Sequence, residues 1–178
     1  MEIKTERLVI RPLIESDFKD VYAIVSDVGT VGKMLCMPLN SFDTEEMFIS
    51  SLMSSDVEDY DDLVYAVLLD GKLIGCVQLT NTSWFEETEE KTNEIGWFFN
   101  KDFWNKGYCT EAASALIKFL KENYDYTKLT ANCDSTNTGS WKVMEKLGMK
   151  RARVVDLHRS NQSTPDVPRI DFFYEMGL

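Results

Sequence analysis

The stretch FWNKGYCTEA, residues 103–112, places one glycine beside a lysine just before a run with helical character. Gly107 lets the backbone approach a ligand closely, and Lys106 adds a positive charge nearby. A helix that begins here directs unpaired backbone N–H groups and the positive end of its dipole at one spot, which favours an anion such as phosphate. An ordinary turn between a strand and a helix is the alternative, and this stretch alone leaves both open.

The neighbouring segments predict the elements that such a site requires. After Cys109, apolar residues fall at offsets of 3, 4, 7, 8 and 11, which is the spacing of one face of an α-helix. Before the loop, NEIGWFFN at 93–100 predicts a strand. Further upstream, two apolar runs flank the dipeptide Asp70-Gly71, which is typical of a type I′ turn and predicts a hairpin of two antiparallel strands.

The remaining segments complete an alternating pattern of strands and helices. They comprise a strand at 7–13, a helix after an N-cap at Ser16, a second helix after Asp43, a strand at 128–133, a helix at 137–146 that ends before Gly148, and closing strands at 149–156 and 169–176. The order βααβββαβαββ predicts an α/β (α+β) fold, with a mixed, mostly antiparallel sheet flanked by helices on both faces. The length predicts a single domain, residues 1–178.

The charge of the chain restricts its partners. The net charge is −11, with acidic residues concentrated at 56–62 and 86–90, so a nucleic-acid partner is disfavoured. These acidic runs are typical of solvated loops, and attraction of a cationic substrate is the alternative interpretation. No stretch approaches the roughly 20 apolar residues of a membrane span, and the N-terminus lacks the pattern of a signal peptide, so we expect a cytoplasmic protein without a membrane partner.

The cysteines and the histidine favour no metal centre. The four cysteines form no CxxC pair, and His158 is the single histidine in the sequence, so we expect neither a metal site nor a disulfide framework. Nor does His158 belong to a recognisable Ser/His/Asp arrangement, and a surface histidine is the simpler interpretation.

The loop at 103–112 resembles that of a known superfamily. GxxxxGK[ST] and GxGxxG are both absent from the sequence. FWNKGYCTEAASALIKFL instead resembles the acetyl-CoA pyrophosphate loop of the GNAT superfamily of N-acetyltransferases, in particular its RimJ/RimL-like branch. TERLVIRPLIESD, NEIGWFFNKDFWNKGY and NTGSWKVMEKLGM resemble further segments of that branch in the same order. The resemblance covers nearly the whole chain, and βααβββαβαββ is the order that this superfamily uses.

The resemblance implies acetyl-CoA as the cofactor, with its pyrophosphate at this loop. The superfamily's loop usually reads Q or R, x, x, G, x, G or A, whereas here Trp104, Gly107 and Cys109 hold those places and only the middle glycine matches. Because backbone N–H groups hold most of the pyrophosphate, the loop can work without the usual side chains. The implied phosphate contacts are those of Lys106, Gly107, Tyr108, Cys109 and Thr110.

Two further segments are implied to contact the cofactor. Its pantetheine arm is expected to pair with free backbone groups of the strand before the loop, at Trp97, Phe98 and Phe99. This role is compatible with aromatic side chains that fill the core, because backbone pairing needs no particular side chain. Asn137 matches the family's cofactor-contacting asparagine, and it also has the features of a plain helix N-cap.

The resemblance also leads to two candidate catalytic residues. Acetyl transfer needs a neutral amine, although an aliphatic amine with a pKa of about 10 is mostly charged at neutral pH. Glu94 is the candidate base, because an Ile95 in the core leaves Glu94 facing the cleft and burial raises its pKa; an exposed strand glutamate is the alternative. Many relatives have a tyrosine where Met144 stands here, so Ser140 is implied to donate to the leaving thiolate.

The expected function is acetyl-CoA-dependent transfer of an acetyl group to a primary amine, on a protein N-terminus or a small molecule, by direct attack in a ternary complex. A non-catalytic acyl-CoA-binding protein on the same fold is the alternative. A third hypothesis is a covalent route through Cys109, since a helix N-terminus lowers the pKa of a thiol. The sequence leaves the acceptor unspecified and a homodimer open.

Overall fold

The computed structural model describes residues 2–32, 62–80, 92–160 and 168–178. Within these residues, eight strands form one sheet in which the strand order is β1-β2-β3-β4-β5-β6-β8-β7. The strands are β1 (Ile3–Lys4), β2 (Leu8–Pro12), β3 (Asp62–Leu69), β4 (Lys72–Thr80), β5 (Thr92–Phe99), β6 (Lys128–Asp134), β7 (Lys150–Ser160) and β8 (Pro168–Gly177). The pair β5 and β6 is parallel, and every other neighbouring pair is antiparallel.

Helices cover both faces of this sheet. They are α1 (Phe18–Val25), α2 (Val28–Val31), α3 (Tyr108–Asn123) and α4 (Thr138–Lys146), and single 3-10 turns lie at Glu15–Asp17 and Lys101–Phe103. The apolar stripe of α3, with Leu116 and Leu120 at its centre, packs on one face together with Met144 of α4. Val21 and Ile24 of α1 pack on the opposite face. No helix in the described ranges is both long enough and apolar enough to cross a membrane.

The predicted fold class and the order of the elements are confirmed, with three local differences. The two-residue strand β1 and the four-residue helix α2 were not predicted, because neither is long enough to show a period in the sequence. The prediction of Ser16 as an N-cap was wrong: it lies inside the 3-10 turn, and Asp17 immediately precedes α1. The second predicted helix, after Asp43, lies outside the described residues.

The hairpin that joins β3 and β4 confirms the turn predicted from Asp70-Gly71. Asp70 has φ 51° and Gly71 has φ 78°, so both central residues adopt the left-handed conformation that a type I′ turn requires. This turn joins β3 to β4 as an antiparallel pair, and β4 pairs with β5 along its other edge.

The parallel pair β5 and β6 opens partway along its length. The two strands pair at Thr92, Asn93 and Glu94, opposite Lys128 to Thr130, and the pairing then stops. β5 continues to Phe99 and stays paired with β4, while β6 continues to Asp134 paired with β8. The strands therefore separate beyond Glu94, and the β6-facing edge of β5 is left without a strand partner.

Candidate functional site

A cleft of about 1040 Å³ occupies the gap between β5 and β6. It is lined by both strands, by the first turn of α3, and by residues of α2, α4 and β8. The cleft brings together nearly all the site residues predicted from the sequence. Those that line it are Glu94, Trp97, Phe98, Phe99, Trp104, Gly107, Tyr108, Cys109, Thr110, Asn137 and Ser140.

The loop before α3 has the backbone geometry of an anion site. Gly107 adopts φ 84° and Asn105 adopts φ 60°, so two left-handed residues turn the chain sharply into the helix. The first helical bond runs from the Glu111 N–H to the Gly107 carbonyl, at 3.0 Å. The N–H groups at 108–110 therefore lack a partner inside the helix, and they lie at the positive end of a 16-residue helix dipole.

A cluster of polar contacts from the turn between β1 and β2 holds this loop. The Arg7 guanidinium donates to the Lys106 carbonyl at 3.1 Å and to Glu111 Oε2 at 2.7 Å, and it lies over the Tyr108 ring at 4.5 Å. Thr5 Oγ1 also donates to Glu111, at 2.6 Å. Because the carbonyl and the N–H of one peptide unit point in opposite directions, a Lys106 carbonyl held by Arg7 turns the Gly107 N–H away from Arg7.

The pKa of Glu111 reflects these contacts. Partial burial alone would raise it, but the hydrogen bonds from Thr5 and Arg7 outweigh that effect and hold the pKa below its usual value. Sequence reasoning missed both Arg7 and Glu111, although Arg7 stands in TERLVIRPLIESD, one of the segments that carried the resemblance. Their pairing could not be inferred, because 104 residues separate them.

Two side chains of the loop make hydrogen bonds within the protein. Lys106 does not line the cleft, because its ammonium group donates to the Asp102 carbonyl at 2.9 Å and lies 5.4 Å from the Phe103 ring. The Trp104 indole lines the cleft, and its N–H donates to the Phe99 carbonyl at 2.7 Å. Trp104 thus ties the loop to the end of β5.

The three aromatic residues at the end of β5 divide between the two faces of the sheet. Trp97 and Phe99 pack with the core under α3 and α4, whereas Phe98 packs with the core under α1. The Phe99 carbonyl is already bonded to Trp104, so the free backbone edge of β5 lies mainly at 95–98. The aromatic side chains fill core, which is compatible with the backbone role expected for this strand.

Glu94 lies where β5 and β6 separate. Ile95 is buried in the core and Glu94 lines the cleft, as the alternation of the strand predicted. Burial raises the pKa of Glu94 above its usual value; the hydrogen bond from Asn132 opposes this shift and the charge of Asp171 adds to it. The Asn132 Nδ2 group donates to Glu94 Oε2 at 2.9 Å, whereas Asn132 Oδ1 is buried without a hydrogen-bond partner in the described part of the chain.

A second carboxylate lines the same part of the cleft from β8. Asp171 is fully buried and pairs with Arg169. The Arg169 Nε group donates to Asp171 Oδ1 at 2.7 Å, and Nη2 donates to Oδ2 at 3.3 Å. Asp171 and Asn132 were not singled out from the sequence, because alternation shows only which face of a strand a residue occupies. Strand register, which the sequence does not reveal, brings them to Glu94.

The start of α4 forms the opposite wall of the cleft. Asn137 is the N-cap, since its side-chain oxygen accepts from the Ser140 N–H at 3.3 Å. Burial raises the pKa of the Cys133 thiol to about 12, and the nearby Ser140 side chain opposes that shift. Met144, at the place where many relatives have a tyrosine, is an almost fully buried core residue.

The thiol of Cys109 is not activated. Burial raises its pKa, although the residue stands in the first turn of a helix, where the dipole alone would lower it. The nucleophile hypothesis therefore loses the activated thiol on which it depended. Among the described residues, no group of three or more His, Cys, Asp or Glu side chains could hold a metal ion.

Comparisons with known proteins identify the family. The model of the acetyltransferase (GNAT) domain family matches residues 7–150. An uncharacterized N-acetyltransferase of Bacillus subtilis, YnaD, is 32% identical over 85% of this chain and 84% of its own length. A GNAT-family acetyltransferase from Bacillus anthracis has a solved structure with a TM-score of 0.72, 27% identity, and coverage of 99% of this chain and 98% of its own.

A more distant enzyme shares the fold. The structure of RimL, a ribosomal L7/L12 α-N-protein acetyltransferase in complex with coenzyme A, superposes with a TM-score of 0.85 at 13% identity, and covers 100% of this chain and 98% of its own. The resemblance noticed in the sequence and the predicted class of enzyme, an acyltransferase that uses acetyl-CoA, are thus confirmed. The chain belongs to the GNAT family of acetyltransferases.

Proposed function

We propose that this protein transfers the acetyl group of acetyl-CoA to a primary amine by direct attack in a ternary complex. The observation that carries the proposal is the gap between β5 and β6, which opens at the half-buried Glu94 and leads to the N-terminus of α3. Acetyl-CoA supplies an activated thioester. The chain must hold that thioester, orient an amine against it and accept a proton.

The described residues fit the cofactor. The unpaired edge of β5 can pair with an extended pantetheine arm as an added strand would. The amides at 107–110, with Gly107 in its left-handed conformation, suit a pyrophosphate. The Asn137 Nδ2 group makes no hydrogen bond within the described part of the chain, so it is available to the same ligand while Asn137 Oδ1 caps α4.

Glu94 is the proposed base. Its raised pKa makes it a stronger base than an ordinary carboxylate, and its position at the closed end of the gap lets it accept a proton from an amine directly or through one water. Asn132 orients the carboxylate through Oε2. The charge of Asp171 is offset by its ion pair with Arg169, so its contribution here is to help raise the pKa of Glu94.

Ser140 is proposed to face the leaving thiolate. It lines the cleft from α4, on the same side as Cys133, whereas Glu94 and Asn132 belong to the face covered by α1. A serine hydroxyl is a weak acid, so its role is to donate a hydrogen bond to sulfur rather than to protonate it. Acetyl-CoA thus enters from the side of α3 and α4, and the amine enters from the side of α1 and α2.

The test is release of free thiol from acetyl-CoA in the presence of a panel of amines. The RimL structure is that of an α-N-protein acetyltransferase, so peptides with free N-termini belong in the panel beside polyamines, aminoglycosides and small amino metabolites. We expect thiol release that depends on at least one amine, with mass spectrometry showing that amine acetylated. Binding of CoA without thiol release from any amine would favour the non-catalytic alternative. A cytoplasmic location and a homodimer stay predictions.

A further inference from the structure

The charged side chains that line the cleft are separated by sign. In the part of the chain that the structure describes, the anionic ones are Glu94 and Asp171, on β5 and β8. The cationic ones are Lys142 and Lys146, both on α4. In a chain with a net charge of −11, two neighbouring cations that face a ligand cleft require an explanation.

The two lysines lie on the face of α4 that forms the cleft wall. Gly139, Lys142, Val143 and Lys146 all line the cleft, and their spacing of i, i+3, i+4 and i+7 is one face of a helix. Side chains four residues apart on such a face have Cβ atoms about 5–6 Å from each other. Both flexible ammonium groups can therefore reach one compact anion.

Both lysine ammonium groups are available to a ligand. Both residues are exposed, and neither makes an ion pair or a hydrogen bond within the described residues. Lys142 Nζ lies 5.6 Å from the Trp141 ring, which still leaves its N–H groups for a ligand. A lysine in the last turn suits the helix dipole, which explains Lys146 but not Lys142 in the middle of the helix.

Coenzyme A carries two kinds of phosphate. Its pyrophosphate is accommodated by the amides at the start of α3, where no side-chain cation is needed. Its 3′-phosphate is a monoester with a second pKa of about 6, so it carries nearly two negative charges at neutral pH and needs cations more than the pyrophosphate does. Among the residues that the structure describes, Lys142 and Lys146 are the cations that line the cleft.

We infer that Lys142 and Lys146 together bind the 3′-phosphate of coenzyme A and make the protein selective for the cofactor over its 3′-dephospho form. This inference rests on the proposed function, because it assumes that the cleft holds acetyl-CoA. The selectivity comes from charge-assisted hydrogen bonds that the dephospho form cannot make.

Calorimetric titration of the whole protein with CoA and with 3′-dephospho-CoA tests the inference. We expect the wild type to bind CoA about tenfold more tightly than dephospho-CoA, if each lysine contributes about 0.7 kcal/mol. The variant Lys142→Ala/Lys146→Ala should lose most of this difference, with its Kd for CoA raised about tenfold and its Kd for dephospho-CoA nearly unchanged. Lys142→Arg/Lys146→Arg should keep the preference.

A matched control removes two charges elsewhere. Lys118 and Lys121 are exposed on α3 and do not line the cleft, so Lys118→Ala/Lys121→Ala changes the net charge equally and should leave both Kd values as in the wild type. Equal affinity of the wild type for the two ligands would overturn the inference and leave the proposed function standing. So would an equal loss of affinity for both in the Lys142/Lys146 variant. Failure of the wild type to bind either ligand would overturn the proposed function and the inference with it.

Discussion

The two ends of the cleft are built from different parts of the chain. The end at α3 is built mainly from backbone: the unpaired edge of β5, a left-handed Gly107 and the amides of the first helical turn. The end at Glu94 is built from side chains of three strands, since β5 supplies the carboxylate, β6 supplies Asn132 and β8 supplies Asp171. The first end suits a cofactor and the second end suits a proton transfer.

This difference explains how the site tolerates unusual residues. A backbone site depends on φ, ψ and peptide orientation, so Trp104 and Cys109 can replace the residues common in the superfamily while the amides keep their directions. A side-chain site has no such tolerance, because one substitution removes the reacting group or its partner. Changes at the Glu94 end should therefore affect turnover, and changes at the α3 end should affect cofactor affinity.

Removal of the Glu94 carboxylate should have the largest effect. Glu94→Gln keeps a hydrogen-bond acceptor for Asn132 but cannot accept a proton, so kcat should fall about a hundredfold, while the Kd for CoA changes little. Steady-state kinetics with the best amine of the panel, together with calorimetry, would measure both quantities. Glu122→Gln on the exposed surface of α3 is the control and should match the wild type.

The pH profile sharpens the same prediction. Glu94 must be ionised to act as a base and its pKa is raised, so the rate should increase with pH through that pKa and this acid limb should vanish in Glu94→Gln. If kcat of the wild type and of the variant agree across pH 6 to 9, to within about twofold, Glu94 is not the base.

Loss of the Arg7 contacts should have the next largest effect. Arg7→Ala frees the Lys106 carbonyl, so the Gly107 amide loses its fixed direction and the Kd for CoA should rise about five- to tenfold. At saturating acetyl-CoA, kcat should stay near that of the wild type. Lys4→Ala, which removes an exposed cation from the same end of the chain, is the control. If kcat fell by that factor instead and the Kd for CoA did not change, the orientation of the loop would not depend on Arg7.

The conformation of Gly107 should have a smaller effect. At φ 84° an alanine is strained by roughly 1 kcal/mol, so Gly107→Ala should raise the Kd for CoA about fivefold, whereas Gly107→Asn should raise it less because asparagine tolerates this conformation. The Cβ atom itself is accommodated, since its nearest neighbour would be Arg7 Nη2 at 3.4 Å. Equal affinities for the two variants would show that strain at this position does not control binding.

The smallest effect concerns stability. Because the pKa of Glu94 is raised in the folded state, the protonated residue contributes to the free energy of unfolding at low pH. This contribution is lost as the pH rises from the ordinary carboxyl pKa through the folded value. Glu94→Gln lacks that loss, so its Tm should exceed that of the wild type at pH 7, and the difference should shrink towards pH 4. Calorimetric melting at both pH values measures it, and a difference independent of pH would contradict the raised pKa.

The sequence predicted the backbone end better than the side-chain end. The helix α3 and the β3–β4 hairpin follow from local patterns, which are the period of the apolar residues after Cys109 and the Asp70-Gly71 turn. The loop between β5 and α3 was predicted from Gly107 and from the resemblance to the loop of the GNAT superfamily. All of these signals lie within a short stretch of chain, so one sequence is enough to find them.

The partners at the side-chain end could not be predicted in this way. Asn132 meets Glu94 across 38 residues, and Arg7 meets Glu111 across 104, so both contacts depend on strand register and packing. The separation of β5 from β6 is likewise a property of two strands that the local pattern of either one does not contain. Glu94 itself was found because alternation against Ile95 is local.

In the proposed mechanism, the gap between β5 and β6 joins a cofactor end to a proton-accepting end. A crystal structure of the protein with coenzyme A would show whether both ends serve one bound cofactor. We expect a pantetheine arm hydrogen-bonded to the free edge of β5 at 95–98, a pyrophosphate on the amides at 107–110, and a sulfur atom in the gap between Glu94 and Ser140. A cofactor bound outside this gap, or with its sulfur directed away from Glu94, would rule out the proposed mechanism.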